Sequence, residues 1–125
     1  MKNIRNFEGH IPQLADSVFV DESAVVTGDV IIGDDSSVWP CCSIRGDIHS
    51  IRIGARSNIQ DGSILHVTHD SEYAPGGTQL IVGDDVTVGH NVVLHACTLD
   101  VLCRRGRGSI GREGAVVQSG ALGGA

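Results

Sequence analysis

Aliphatic residues recur every six positions along most of this chain. Leu14, Val20, Val26, Ile32, Val38 and Ile44 hold the period without a miss. Ile53, Ile59 and Leu65 resume it after a three-residue slip, and Val82, Val88 and Leu94 after a longer gap. Ile110, Val116 and Leu122 fall in the same period near the end, and glycine often follows the anchor, as at Gly33, Gly54, Gly83 and Gly89. A period of six matches neither an amphipathic helix nor the two-residue alternation of a meander. It fits a parallel β-helix in which each hexad is one short strand plus a corner, the aliphatic anchor pointing inward. Three hexads make a triangular coil, coils stack about 4.8 Å apart, and each coil buries its anchors only against its neighbours.

Composition agrees with an all-β chain. There are 15 Val and 12 Ile against 7 Leu, and aromatics make up 3%; branching at Cβ favours strands over helices. Seventeen glycines spread along the chain suit frequent tight turns better than one flexible linker. At 125 residues the chain reads as one domain, residues 1–125, with an irregular or truncated stretch expected over about 99–125. The balance of 9 basic and 15 acidic residues, net −6 with no basic run, argues against nucleic-acid binding. No apolar run is long enough for a membrane span, and the N-terminus lacks a signal-peptide core, so a cytoplasmic protein is expected. Cys41, Cys42, Cys97 and Cys103 form no CxxC pair and read as reduced thiols.

Folding the repeat brings distant residues together. If 65–82 is one hexad plus an 11-residue loop, His66 and His95, 29 apart and each one place after an anchor, fall one coil apart on the same outer face. Arg45 also follows an anchor; it lies 21 residues before His66, and 21 − 3 for the slip is again one coil. Arg45, His66 and His95 should therefore form one column, with Gln60 one hexad away across a corner. His90 belongs near another corner, too far to join the pair within one chain, and a symmetric trimer would supply it from a neighbour. Two imidazoles aligned one coil apart need a reason, and zinc, with three protein ligands and an open position, is one; iron(II) and cobalt(II) accept the same donors. His10 and His49 read as solvated turn residues, Arg45 with Asp47 as a surface ion pair, Asp34-Asp35 and Asp84-Asp85 as turns, and Trp39-Pro40 as the cover of an edge or interface. Cys97 is not counted among the ligands.

The segments Val38-Trp39-Pro40-Cys41, Ile44-Arg45-Gly46-Asp47, Asn58-Ile59-Gln60-Asp61-Gly62, Leu65-His66-Val67-Thr68-His69 and Gly89-His90-Asn91-Val92-Val93-Leu94-His95 resemble the gamma-class carbonic anhydrase family over about residues 10–98. The resemblance implies a left-handed β-helix that forms a homotrimer with a metal at each interface. It matches His66, His90 and His95 to the metal ligands, two from one subunit and His90 from the next. Arg45 and Asp47 match residues of the subunit contact bordering the site, Gln60 a glutamine near the metal-bound solvent, and Asn58 and Asp61 its companions. The implied reaction is reversible hydration of carbon dioxide to bicarbonate by a zinc-bound hydroxide. In the loop, His69, Glu72 and Tyr73 are candidates for passing protons. Ile48 stands where the resemblance implies an acidic shuttle residue, and the loop is short, so weak activity is expected. The alternatives are an acyltransferase or thioesterase on the same fold, which needs no metal, and a trimeric metal-stapled scaffold without catalysis. After Thr98 the pattern breaks. Arg104 falls six before Ile110, where an aliphatic belongs, and a buried unpaired guanidinium is costly, so the coil is expected to distort or shift register there.

Overall fold

The structure, a computed structural model, describes residues 2–123. Every strand pairing between its strands is parallel, and the chain winds as a three-faced solenoid. The first face stacks residues 25–27, 43–45, the strands Ile64–His66 and Val93–His95, and finally Ile110–Gly111. The second stacks 30–32, 51–53, Leu80–Val82, Thr98–Leu99 and Val116–Val117. The third runs from Phe19–Val20 through Ser37–Val38, Asn58–Ile59, Thr87–Val88 and Arg104–Arg105 to Leu122–Gly123. The hexad anchors from Val26 to Leu94 are buried, with Val30, Ile51, Val67 and Leu80 filling the axis between them.

Corners impose their own sequence rules. Asp35, Arg56, Asp85 and Leu102 take positive φ at one corner, as Cys41, Gly62, Asn91 and Gly108 do at another. The glycine after an anchor answers a different need. A Cβ on Gly33 would come within 2.9 Å of the Gly54 backbone, and one on Gly83 within 2.9 Å of Val101 N, because the next coil crosses there.

Buried serines carry hydrogen bonds from coil to coil. Ser57 Oγ donates to Gly83 O (2.7 Å) and accepts from Val86 N (3.0 Å), while Ser57 N donates to Ser36 Oγ (3.0 Å). Ser63 repeats the device with Gly89 O and Val92 N. Backbone groups left unpaired in the core cost about 1–3 kcal/mol each. Ser57→Ala is therefore expected to destabilise by about 2 kcal/mol in urea unfolding, against a few tenths for alanine at exposed Ser119.

Both insertions fall at the corner between the first and second faces. Gly28 pairs with Gly46 but Val30 with Ile51, so five residues oppose two and three extra ones, within 47–50, bulge outward. The longer insertion is pinched at its base, where Thr68 N donates to Thr78 O (3.0 Å) and Thr78 N to Thr68 O (2.9 Å).

The end of the chain corrects the sequence reading. Ile110 and Val116, expected to point inward, are 61% and 64% exposed; the side chain of Leu122 lies outside the described residues. From Leu94 the next anchor is Leu99, five positions on and paired with Val82, and the period then runs through Arg105, Gly111 and Val117, which pair with Val88, Leu94 and Leu99. The stretch expected to be irregular thus continues as paired coils with its phase moved by one residue. Arg104 escapes burial and faces solvent, but the slip turns Arg105 toward the core, and its Nε is buried with no hydrogen-bond partner.

Candidate metal centre

The column inferred from the sequence is present. His66 and His95 are register partners on adjacent coils, with ring centroids 5.2 Å apart and planes at 72°. Ser43 and Ile44 pair with Ile64 and Leu65, which carries Arg45 to the coil beside His66. Asp47, at the root of the first insertion, ties the column together. Its Oδ1 accepts from His66 Nε2 (2.8 Å) and from Ile48 N (2.9 Å), and its Oδ2 pairs with the Arg45 guanidinium. The Asp47 and His66 side chains are 12% and 19% exposed, and Arg45 covers them from the solvent side at 51%. Burial alone would raise the Asp47 carboxyl. The His66 hydrogen bond and the Arg45 charge outweigh it and hold Asp47 below the usual carboxylate range. The surface ion pair of the sequence reading is therefore also a brace on a candidate ligand. Sequence reasoning missed Thr68, whose hydroxyl lies 3.5 Å from His95 Nδ1. Strand alternation was the available signal, since 66 and 68 face the same side.

A second cluster occupies the corner between the third and first faces. Gln60 Nε2 donates to Asn58 Oδ1 (3.0 Å), Asn58 Nδ2 to Thr87 Oγ1 (3.2 Å), and His90 Nδ1 stands 3.4 Å from Asp61 Oδ1. Asn58, Gln60 and Asp61 border a cavity of about 450 Å³ with Ser37 and Trp39. Trp39 donates to Ser37 Oγ (2.9 Å) and packs on Phe19 at 5.1 Å between centroids, while both side chains stay exposed.

These clusters stand at opposite edges of the first face. His90 and His95 are separated by the Asn91 corner (φ 53°) and the strand Val93–His95, whereas imidazole ligands of one zinc lie about 2 Å from it. Among the described residues no three His, Cys, Asp or Glu side chains are grouped as a metal would need. The in-register pair of imidazoles fits two corners of a tetrahedral site, and no third His, Cys, Asp or Glu among the described residues is grouped with them. Cys97, buried at 2% exposure in the core, is not available to it.

The fold and the paired clusters define a class. The chain belongs to the gamma carbonic anhydrase-like family of hexapeptide-repeat proteins. It is 52% identical to protein YrdA of Escherichia coli over 107 residues, 86% of this chain and 58% of that protein. It is 42% identical to a carbonic anhydrase of Geobacillus kaustophilus over 104 residues, 83% of this chain and 53% of that enzyme. A solved structure of a hexapeptide transferase family protein from Anaplasma phagocytophilum matches with a TM-score of 0.76 and 29% identity, covering all of this chain and 81% of that one. No family model matches the chain. The chain spans between half and three-fifths of the length of these two sequence relatives.

Proposed function

We propose that the chain is a trimeric, zinc-dependent carbonic anhydrase of the cytoplasm that hydrates carbon dioxide reversibly at sites shared between subunits. The observation that carries this reading is the pair of half-sites on one chain. One holds His66 and His95, the other His90 with Gln60, and neither is complete alone. A rotation that sets one copy's first half against its neighbour's second half completes three equivalent sites. An aliphatic ladder runs between the half-sites, with Ile64 and Ile110 paired on either side of Val93 and exposed at 47% and 61%. Apolar area of that kind is what an interface covers.

Bound zinc would act as a Lewis acid that brings the pKa of water to about 7. The protein's own groups do the rest. His66, His95 and a neighbour's His90 hold the ion. Asp47 and Arg45 fix the orientation of the His66 ring, as carboxylates behind metal-binding imidazoles generally do. Gln60, steadied by Asn58 and standing beside Asp61, presents an amide that can donate to an oxygen of bicarbonate or accept from water. Protein purified without chelator is expected to contain one zinc per chain, to run as a trimer, and to hydrate carbon dioxide in an activity lost with chelator and restored by zinc. Acyl transfer that persists in chelator would support instead the acyltransferase reading suggested by the neighbouring structures. Full zinc with neither activity would leave a scaffold.

A further inference from the structure

We propose that the corner holding both insertions is the proton exit of this site, with His69 and His10 as its proton carriers. The inference rests on the carbon dioxide reading above. Hydration breaks one O–H bond of water as the new C–O bond forms, giving bicarbonate and one proton, so a base must remove that proton in every turnover. The position where an acidic carrier would be expected holds Ile48, 45% exposed and unable to take a proton.

Bases nevertheless stand beside Ile48 in one cavity. Asp47, whose Oδ1 touches His66 Nε2, also lines a cavity of about 480 Å³ shared with His10, His49 and His69, and with the carboxylates Glu8, Asp29 and Asp70. The cavity exists because the two insertions and the N-terminal turn meet there. His49 comes from the first insertion, His69 and Asp70 from the second, and His10 from the turn closed by Phe7 N on His10 O (2.9 Å).

The three imidazoles are not equivalent. Ser50 N donates to His49 Nδ1 at 2.8 Å, so the acceptor nitrogen of that ring is already engaged. The rings of His10 and His69 form no hydrogen bond with any described residue, and both residues are exposed. Each keeps an open nitrogen that can take a proton from cavity water and release it to buffer. Glu72 and Tyr73, the other carriers considered from sequence, do not line this cavity, and Tyr73 is 91% exposed.

The test uses the full zinc-loaded protein and a His10→Ala/His69→Ala double variant. In dilute buffer the double variant is expected to lose about a hundredfold in kcat, the lower end of what a positioned proton carrier contributes. Its kcat/KM should move less than twofold, and added 4-methylimidazole should restore kcat. His49→Ala, whose ring has no free acceptor nitrogen, should lose less than threefold. A readout independent of turnover is nuclear magnetic resonance of the zinc-free double variant. There 4-methylimidazole should shift the Ile48, His49 and Asp70 amides saturably. A double variant as fast as the natural chain in dilute buffer, or one slowed but not rescued, overturns the proton exit and leaves the zinc-site reading standing. A natural chain that carries full zinc yet hydrates no carbon dioxide overturns both.

Discussion

Equal amounts of His66→Ala and His90→Ala chains, mixed unfolded and refolded together, are expected to regain zinc that neither holds alone. If each site takes His66 and His95 from one copy and His90 from the next, either variant by itself has every site spoiled, and its zinc falls to background. In random mixed trimers a site is whole when its first copy is the His90→Ala chain and its second is the His66→Ala chain. The probability is one half times one half, so about a quarter of sites recover. Metal analysis of the refolded trimer reads this directly, and hydration activity should return in the same proportion. Two other outcomes have clear meanings. Zinc retained by the His90→Ala chain alone would show that His90 is no ligand. No recovery on mixing, with both chains folded and trimeric, would place all three imidazoles in one chain's site, against their standing in separate clusters of the described chain.

The parts of this arrangement that could be read from the sequence are those fixed by counting. A six-residue period with known insertions fixes which residues share a face, so the column of Arg45, His66 and His95 and the separate corner of His90 followed from arithmetic. What counting misses is where side chains reach once they leave the wall. Asp47 lies in an insertion outside the period, and only the fold shows its carboxylate bridging Arg45 and His66. His10 and His49 read as isolated turn residues because the sequence does not say that separate excursions meet at one corner. A register shift was expected near Arg104, but where it starts and which phase follows it stayed hidden for a related reason. Ile110, Val116 and Leu122 are aliphatic and six apart, and the alternative phase through Arg105, Gly111 and Val117 looks worse on paper. Backbone pairing decides between them: Cys97, Leu99 and Cys103 are buried at 2%, 0% and 0%, and continuing from those positions turns Ile110 outward.

That slip has an energetic consequence, and Arg105→Leu should reverse it. Arg105 stacks on Val88 at a position where earlier coils place Val38 and Ile59. Its Nε is buried without a partner, and its charge is close enough to Cys97 to lower that thiol against the larger upward push of burial. Replacing a poorly satisfied inward charge with an aliphatic of similar volume typically gains about 1–4 kcal/mol. Because Arg105 is only partly buried, the lower half of that range, about 2 kcal/mol, is expected. For a chain of this length the melting temperature should rise by about 8 °C. Arg104→Leu, one residue away on the solvent side, should change stability by less than about 0.5 kcal/mol. A solenoid is stabilised chiefly between neighbouring coils, so the gain should be local. Slower amide exchange is expected at Val88, Val93, Leu94 and Gly111 and little change before Ile44. A leucine at 105 that lowered the melting temperature while Arg104→Leu left it alone would mean that the guanidinium of Arg105 reaches a compensating partner, and that the last coils are held together by that charge.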